Sequence, residues 1–523
     1  MPCLVTSGAL VGVQGVPVRV EVETLRRLPA TQIVGMAVGA VQEAAERVRS
    51  AIHALHLEWP RLRVIVNLAP ADLRKDGTAF DLPIALGVLA AMGYLDPGGL
   101  EHRVVAGELS LGGELRIIRG ALSLALMARD HGFEEILLPR ECAAEAAMVD
   151  GIRVVGARDL AEVVEHISGR EILAPTAATA VVEPRCPLDL AEVRGQHLAR
   201  RALEIAAAGG HNLLMIGPPG CGKTMLASRL PTILPEMAFR EAIEATRIHS
   251  VAGLRPPEAG MMSSRPFRAP HHSISSAGML GSAQLRPGEA SLAHAGVLFL
   301  DELPEFQRNV LELLRGPLES REIVISRALG TVRFPASFSL VAAANPCPCG
   351  FRGHARRPCA CSEESVHRYM GRMSGPLLDR IDMVVELAPI ATEDLVGTTP
   401  GEASERVRER VVASRELQRG RYRGTDMLCN ADLSGDRVRA AADPVEAADA
   451  LLRRFVDAWA LSGRAHSRLL KVARTLADLE GAPRVEAAHV AEAMQFRGWD
   501  QPSGALLARS HGTRTAPQQG IRP

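Results

Sequence analysis

From the amino terminus to about residue 168, short apolar runs alternate with amphipathic ones. Val18–Val22, Leu62–Asn67, Val104–Leu109 and Glu135–Leu138 carry the pattern of strands. Val41–Leu55 and Leu82–Met92 repeat their apolar positions at helical spacing. The opening Met1–Val18 is apolar, but Gly8, Gly12, Gly15 and Pro17 interrupt it and no basic residue precedes it. It reads as a strand pair and not as a secretory leader, so the expected location is cytoplasmic. Interleaved strands and helices make residues 1–168 a mixed α/β unit.

Pro175, Pro184 and Pro187 among Ala and Thr mark 169–188 as a linker. Strand and helix patterns alternate again over 189–389. From 390 to 500 only helical periodicity remains, in Glu402–Gln418, Pro444–Ala460, Ser467–Leu479 and Val485–Phe496. The tail 501–523 mixes Pro, Gly, Ser, Gln and three arginines with no acid, a disordered composition.

Length and composition narrow the class. A chain of 523 residues suggests about three domains. With 47% hydrophobic and 23% charged residues it is globular. No apolar run approaches the length of a membrane-spanning helix. Sixty basic residues balance sixty acidic ones, so any nucleic-acid site must be a local patch. Only Lys75, Lys223 and Lys471 among the basic residues are lysine, which makes each lysine informative.

One of them closes a phosphate-binding pattern. Leu213–Ile216 is a short apolar strand, followed by Gly217-Pro218-Pro219-Gly220-Cys221-Gly222-Lys223-Thr224 and a helix from about Met225. Glycines let backbone N–H groups wrap phosphates, and the helix N-terminus adds a positive dipole end. Lys223 binds the β- and γ-phosphates in such a site, and Thr224 holds Mg²⁺. Downstream, Val297–Leu300 ends in Asp301 and Glu302. An acid pair at the tip of a buried strand needs a cation, so Asp301 supports Mg²⁺ and Glu302 polarises the attacking water. The strand Ser339–Ala344 ends in Asn345, which either orients that water or serves as a turn residue before Pro346.

On Gly217–Thr224, Gly288–Glu305, Asn345–Gly350 and Ser374–Asp382, the chain resembles the AAA+ ATPases. Within them it looks most like the magnesium-chelatase-related group and its competence-protein subfamily. The likeness runs over nearly the whole chain. It implies a P-loop three-layer αβα core, a helical C-terminal lid, ATP with Mg²⁺ as cofactors, and a homo-hexameric ring. It also implies that Arg380 is an arginine finger acting on a neighbour's nucleotide, the alternative being an ion pair with Asp379 or Asp382. Ser462–Arg468 resembles a second nucleotide sensor, Arg464 being favoured over Arg468.

Four of nine cysteines, Cys347, Cys349, Cys359 and Cys361, fall within fifteen residues. Four thiolates so spaced can close a structural tetrahedral Zn²⁺ site; a redox pair and a metal-free loop are the alternatives. The other cysteines read as buried or incidental. Two segments suit a ring channel: the strand-turn-strand Glu322–Phe334 with Arg327 and Arg333, and Arg265–Ser273 with Arg268, joined by Arg286. Arginines tracking a backbone grip nucleic acid without reading sequence; a solvated face is the competing reading. Aromatics are 3%, so base stacking adds little.

Residues 20–140 resemble the proteolytic domain of Lon-type proteases. Ala79 stands where those carry the nucleophilic serine, and no lysine occurs near Ala121–Leu126, so acyl transfer has no route. Lys75 is expected on the surface or in a loop. The expected function is therefore an ATP-hydrolysing ring motor on single-stranded or branched DNA. The subfamily likeness adds branch migration or helicase action in recombination during natural transformation. The alternative is a protein-remodelling or metal-chelatase-type ATPase that does not touch DNA.

Overall fold

The computed structural model describes residues 2–36, 39–75, 77–178, 187–256, 260–282, 286–327, 330–354, 357–373, 375–390 and 400–497. The tail expected to be disordered lies outside them, as do Cys186, Ser374 and part of the 169–188 linker.

Among the described residues, nine strands precede residue 160: β1 (Cys3–Val11), β2 (Gln14–Leu25), β3 (Ala30–Val34), β4 (Arg63–Ala69), β5 (Arg103–Val105), β6 (Glu108–Leu109), β7 (Leu115–Arg116), β8 (Glu135–Pro139) and β9 (Arg153–Ala157). Seven form one mixed sheet in the order β3-β4-β2-β1-β5-β8-β9. The opening segment is indeed a strand pair, β1 running antiparallel to β2. The single strand expected over Val104–Leu109 is two short ones, because β6 leaves the sheet to pair with β7. At Gly107 a Cβ would sit 2.9 Å from a Leu115 methyl, so a side chain there would push Leu115 aside. The helices Ala44–Ala54 and Asp81–Ala91 fall where the periodicity placed them.

The second sheet holds β10 (Leu213–Ile216), β11 (Phe267–Arg268), β12 (Val297–Leu300), β15 (Ser339–Ala344) and β16 (Met383–Glu386). All its pairs are parallel, in the order β11-β12-β15-β10-β16. Alternate residues of β10, β12 and β15 feed two separate cores. Leu213, Met215, Val297, Phe299, Val341 and Ala343 face one. Leu214, Ile216, Leu298, Leu300, Leu340 and Ala342 face the other. Both faces are covered, which explains why these strands read as unbroken apolar runs. The sheet is the middle of a three-layer stack. A hairpin, β13 (Glu322–Arg327) and β14 (Gly330–Pro335), projects between β12 and β15.

The helices Ser404–Arg421, Glu446–Trp459, Gly463–Leu479 and Ala487–Gln495 build the C-terminal region. The third starts four residues before its periodicity does, because the Ser462 side chain caps it by accepting the Ala465 N–H. A buried polar chain ties this region to the start of β10. The His211 ring meets Thr475 Oγ1 at 2.8 Å, and the Asn430 amide donates to Thr475 and to Asp478. The N-terminal unit docks through the β1–β2 turn, where the Val13 carbonyl accepts from Ser123 and Arg247.

Candidate functional site

Ligands of open parallel sheets gather beyond the carboxyl ends of the strands. Here those ends carry Gly217, Asp301 and Asn345, following β10, β12 and β15. The loop Gly217–Thr224 leads into the helix Lys223–Ile233. Gly220 and Gly222 have φ of 78° and 92°, which side chains rarely adopt, so the loop's shape depends on them.

The Lys223 ammonium donates to the Gly217 carbonyl at 2.6 Å, the Pro218 carbonyl at 3.0 Å and Asn345 Oδ1 at 3.1 Å. Burial lowers its pKa, against the opposing charges of Cys221 and Asp301. Thr224 Oγ1 donates to Asp301 Oδ2 at 2.8 Å. Hydroxyl and carboxylate thus lie where one small cation can reach both. The loop, the acid strand and the amide strand meet at one point.

Glu302 sits beside Asp301 with φ 54°, a left-handed conformation uncommon outside glycine. Its side chain is half exposed and lies 3.5 Å from His272 Nδ1. His272 stacks on His271 at 4.0 Å and meets Phe306 edge-on. Sequence reading placed His272 in a channel segment and did not connect it with Glu302. Tyr369 was missed as well: the Asn345 backbone reaches its hydroxyl, and burial with the charges of Glu305 and Glu302 pushes its pKa up to about 12. It is one of three tyrosines, and no local motif marks it.

Arg380 is elsewhere. It precedes β16, at the amino ends of the strands. Asn212, whose side-chain amide donates to the Arg380 carbonyl, stands five residue steps along β10 from Gly217, about 16 Å at about 3.3 Å per step. The Arg380 guanidinium donates to the Pro376 carbonyl at 2.5 Å and pairs with Glu319. Neither Asp379 nor Asp382 is its partner. Asp382 is held by the Asn212 N–H, with the His211 ring 3.7 Å away, while Asp379 faces Arg464 and Arg468, each at 3.9 Å. Asn212, Glu319, Asp379, Arg380, Asp382, Arg464 and Arg468 line a cavity of about 1360 Å³ at the amino ends of the strands. Arg464 is mostly exposed and Arg468 mostly buried. Both therefore stand with Arg380, away from the phosphate loop of their own chain.

Cys347, Cys349, Cys359 and Cys361 come together, all four sulfurs within 4.8 Å of one another. Three pairs measure 3.4, 3.6 and 3.5 Å. A disulfide needs about 2.05 Å; four thiolates about 2.3 Å from one zinc ion sit about 3.8 Å apart. All four are free thiols, and Cys3, Cys142, Cys221 and Cys429 are buried singly, as expected. A Phe351 N–H bond pulls Cys349 down to about 6, while burial pushes Cys347 up to about 12.

The channel arginines are less available than their sequence suggests. Arg268 makes a two-point pair with Glu289 at 2.6 and 2.7 Å. Arg333 pairs with Glu322 across the hairpin at 2.5 Å. Arg265 is an internal strut, bonded to Glu241 and to the carbonyls of Pro235 and Ala295. Arg286 is exposed. Arg327 ends β13, and its side chain lies outside the described residues. Each acidic partner is distant along the chain or across a turn, which a scan for basic clusters does not see.

In the N-terminal unit Lys75 corrects the expectation of a surface position. It is in a loop but fully buried, its ammonium bonded to the Pro70 carbonyl, and burial lowers its pKa. The Ala79 carbonyl accepts the Gly107 N–H at 2.9 Å, and its methyl side chain offers no nucleophile. The helix Ala121–Asp130 is apolar and buried over Ala121–Ala128 and contains no lysine. Among the described residues, no helix is long and apolar enough to cross a membrane.

Three family models match the chain: "Subunit ChlI of Mg-chelatase" over 20–142, "Magnesium chelatase, subunit ChlI" over 189–395, and "Magnesium chelatase, subunit ChlI C-terminal" over 401–497. The chain is 43% identical to the competence protein ComM of Haemophilus influenzae over 505 residues, covering 94% of this chain and 97% of that protein. It is 41% identical to YifB of Escherichia coli over 503 residues, covering 95% and 97%. An uncharacterized protein of Mycobacterium tuberculosis is 41% identical over 493 residues, covering 94% and 97%.

Proposed function

Because the chain belongs to the magnesium-chelatase ChlI-like family of AAA+ ATPases that includes ComM and YifB, we propose that it is an ATP-driven ring motor acting on DNA. The observation that carries the ATP half is the meeting of Lys223, Thr224, Asp301 and Asn345 at one end of a parallel sheet. Lys223 takes the β- and γ-phosphates. Thr224 and Asp301 would hold Mg²⁺, whose charge would offset that on the transferred phosphoryl group. Glu302 orients and polarises the water, and Asn345 positions it against the γ-phosphate. The four cysteines would hold Zn²⁺ through four sulfurs.

Arg380 belongs to a neighbour's reaction. It stands about 16 Å of strand away from its own phosphate loop, which supports catalysis across subunit boundaries in a homo-hexamer. Arg464, and Arg468 behind it, share that interface. The name of a relative matched over 94% of this chain, a competence protein, supports a role in competence in general terms. The finer role we propose is recombination in natural transformation, by branch migration or helicase action. The N-terminal unit acts as a non-catalytic platform of Lon-protease-like fold, since Ala79 offers no nucleophile.

One observation favours a second reading, a motor on protein. Arg268 and Arg333 already have carboxylate partners, so two of the candidate DNA-gripping arginines are paired within the chain. Steady-state ATPase with and without single-stranded and branched DNA separates the two. A several-fold stimulation supports DNA. Turnover indifferent to every DNA tested would shift the substrate to protein and leave the ATPase reading standing.

A further inference from the structure

The four cysteines lie against the reaction site. Cys347 is two residues beyond Asn345 on the extension of β15, and it is fully buried in the core beneath the sheet. Three residues later Gly350 turns with φ 81°, and a Cβ there would fall 2.6 Å from the Pro219 ring of the phosphate loop. The Cys-rich loop is thus packed directly on the loop that wraps phosphate. After Cys361 the chain enters the helix Glu363–Met370, which carries Tyr369 back to the Asn345 backbone. The segment leaves Asn345, touches Pro219 and returns to Asn345.

Phe351 meets the His354 ring and the Arg357 guanidinium, and Arg352 pairs with Glu363 at 2.9 Å. The segment's crossing point is the sulfur cluster. Backbone N–H groups of Arg352 and Cys361 point at the sulfurs of Cys347 and Cys359 at 3.3 and 3.4 Å. Such N–H groups stabilise thiolate, the form that binds metal.

We infer that the four thiolates bind one Zn²⁺ as a strut that holds Asn345 and the Pro219 turn of the phosphate loop in fixed relation. The inference rests on the roles given above to Asn345 and the phosphate loop. Metal binding releases the thiol protons and ties the Cys347–Cys349 end of the loop to the Cys359–Cys361 end. Four sulfurs leave no open position, so the ion does no chemistry on the nucleotide. Asn345 is the catalytic group, and the cysteines are positioning residues. Loss of zinc is expected to lower kcat and to leave ATP affinity largely in place, because Lys223, Thr224 and Asp301 are supported from other strands.

The test uses the full chain. Purified protein is expected to contain about one zinc per chain by plasma mass spectrometry. Cobalt-substituted protein is expected to give the sulfur-to-metal charge-transfer and d–d bands of a tetrahedral thiolate site. Cys359→Ser with Cys361→Ser is expected to hold no zinc, to bind ATP within about threefold of wild type and to lose at least about tenfold in kcat, adding little to Asn345→Ala. Gly350→Val keeps all four ligands but strikes Pro219, so it is expected to retain zinc and still lose kcat. It also serves if the double serine variant fails to fold. Less than a tenth of an equivalent of zinc would overturn the site. Full turnover in Gly350→Val, or in a folded zinc-free variant, would overturn the strut. A wild-type protein that holds zinc but does not hydrolyse ATP would sink the ATPase reading alone, since metal content and cobalt spectra do not depend on turnover.

Discussion

Replacing Arg380 by alanine removes very little from its own subunit and a great deal from the next. Within the chain the guanidinium pairs with a Glu319 that is mostly exposed, and bonds one carbonyl. The Arg380 side chain is 11% exposed and that of Glu319 62%. With one partner open to solvent the pair contributes about 0–1 kcal/mol. The buried stem adds packing, so the melting temperature of Arg380→Ala should fall by several degrees without unfolding the chain. An arginine that neutralises charge on the transferred phosphoryl group contributes about 10³–10⁵ in kcat. The variant should therefore fold, bind ATP and turn over almost none. Mixing it with Glu302→Gln distinguishes the two sides of an interface. An Arg380→Ala subunit still offers Glu302, and its Glu302→Gln neighbour still offers Arg380. In randomly mixed rings at equal amounts about a quarter of head-to-tail interfaces contain both groups. The assay is steady-state ATPase across mixing ratios, and a maximum near equal amounts is expected. Activity that never rises above the sum of the two separate variants would refute action between subunits.

Lys223→Ala removes the ammonium that joins the phosphate loop to Asn345 and should abolish ATP binding by calorimetry; wild-type affinity would refute its assignment. Glu302→Gln should bind ATP normally and hydrolyse it at least about a hundredfold more slowly, and normal turnover would remove Glu302 from the mechanism. Arg47→Ala strands the fully buried Asp81 carboxylate, which Arg47 holds at 2.7 and 2.9 Å. It should cost about 3–5 kcal/mol by denaturant unfolding, and a loss under about 1 kcal/mol would contradict the buried pair. At Glu135 burial works to raise the carboxyl, but bonds from His166 and Arg103 outweigh it and the net shift is downward. Its contribution to stability is therefore full above the unfolded carboxylate range, about pH 4.3, and is lost as pH falls through the folded value. Glu135→Gln should lower the melting temperature more at pH 7 than in acid; an equal loss at both would refute the linkage.

The strands β10, β12 and β15 were legible to the residue. Each is covered on both faces and so is written as a short continuous apolar run, and each is followed by a residue that breaks the run, Gly217, Asp301 or Asn345. Helix positions were legible in the C-terminal region, but the start of Gly463–Leu479 was not, because a capping side chain set it and not apolar spacing. What could not be read were pairings between distant segments. Arg268 meets Glu289 twenty-one residues on, and Arg380 meets Glu319 sixty-one residues back. His272 comes beside Glu302 because β11 lies next to β12. Asn345 and Tyr369 meet only because the cysteine loop folds back. Lys75 looked like a loop or surface lysine, since nothing local shows that the surrounding chain closes over it.

The most direct measurement is displacement of a labelled strand from a three-strand DNA junction by the purified chain with ATP and Mg²⁺. The expected result is ATP-dependent displacement by the wild type and none by Glu302→Gln. Brisk ATP hydrolysis with every strand left in place, across a range of salt that permits binding, would contradict a motor acting on DNA.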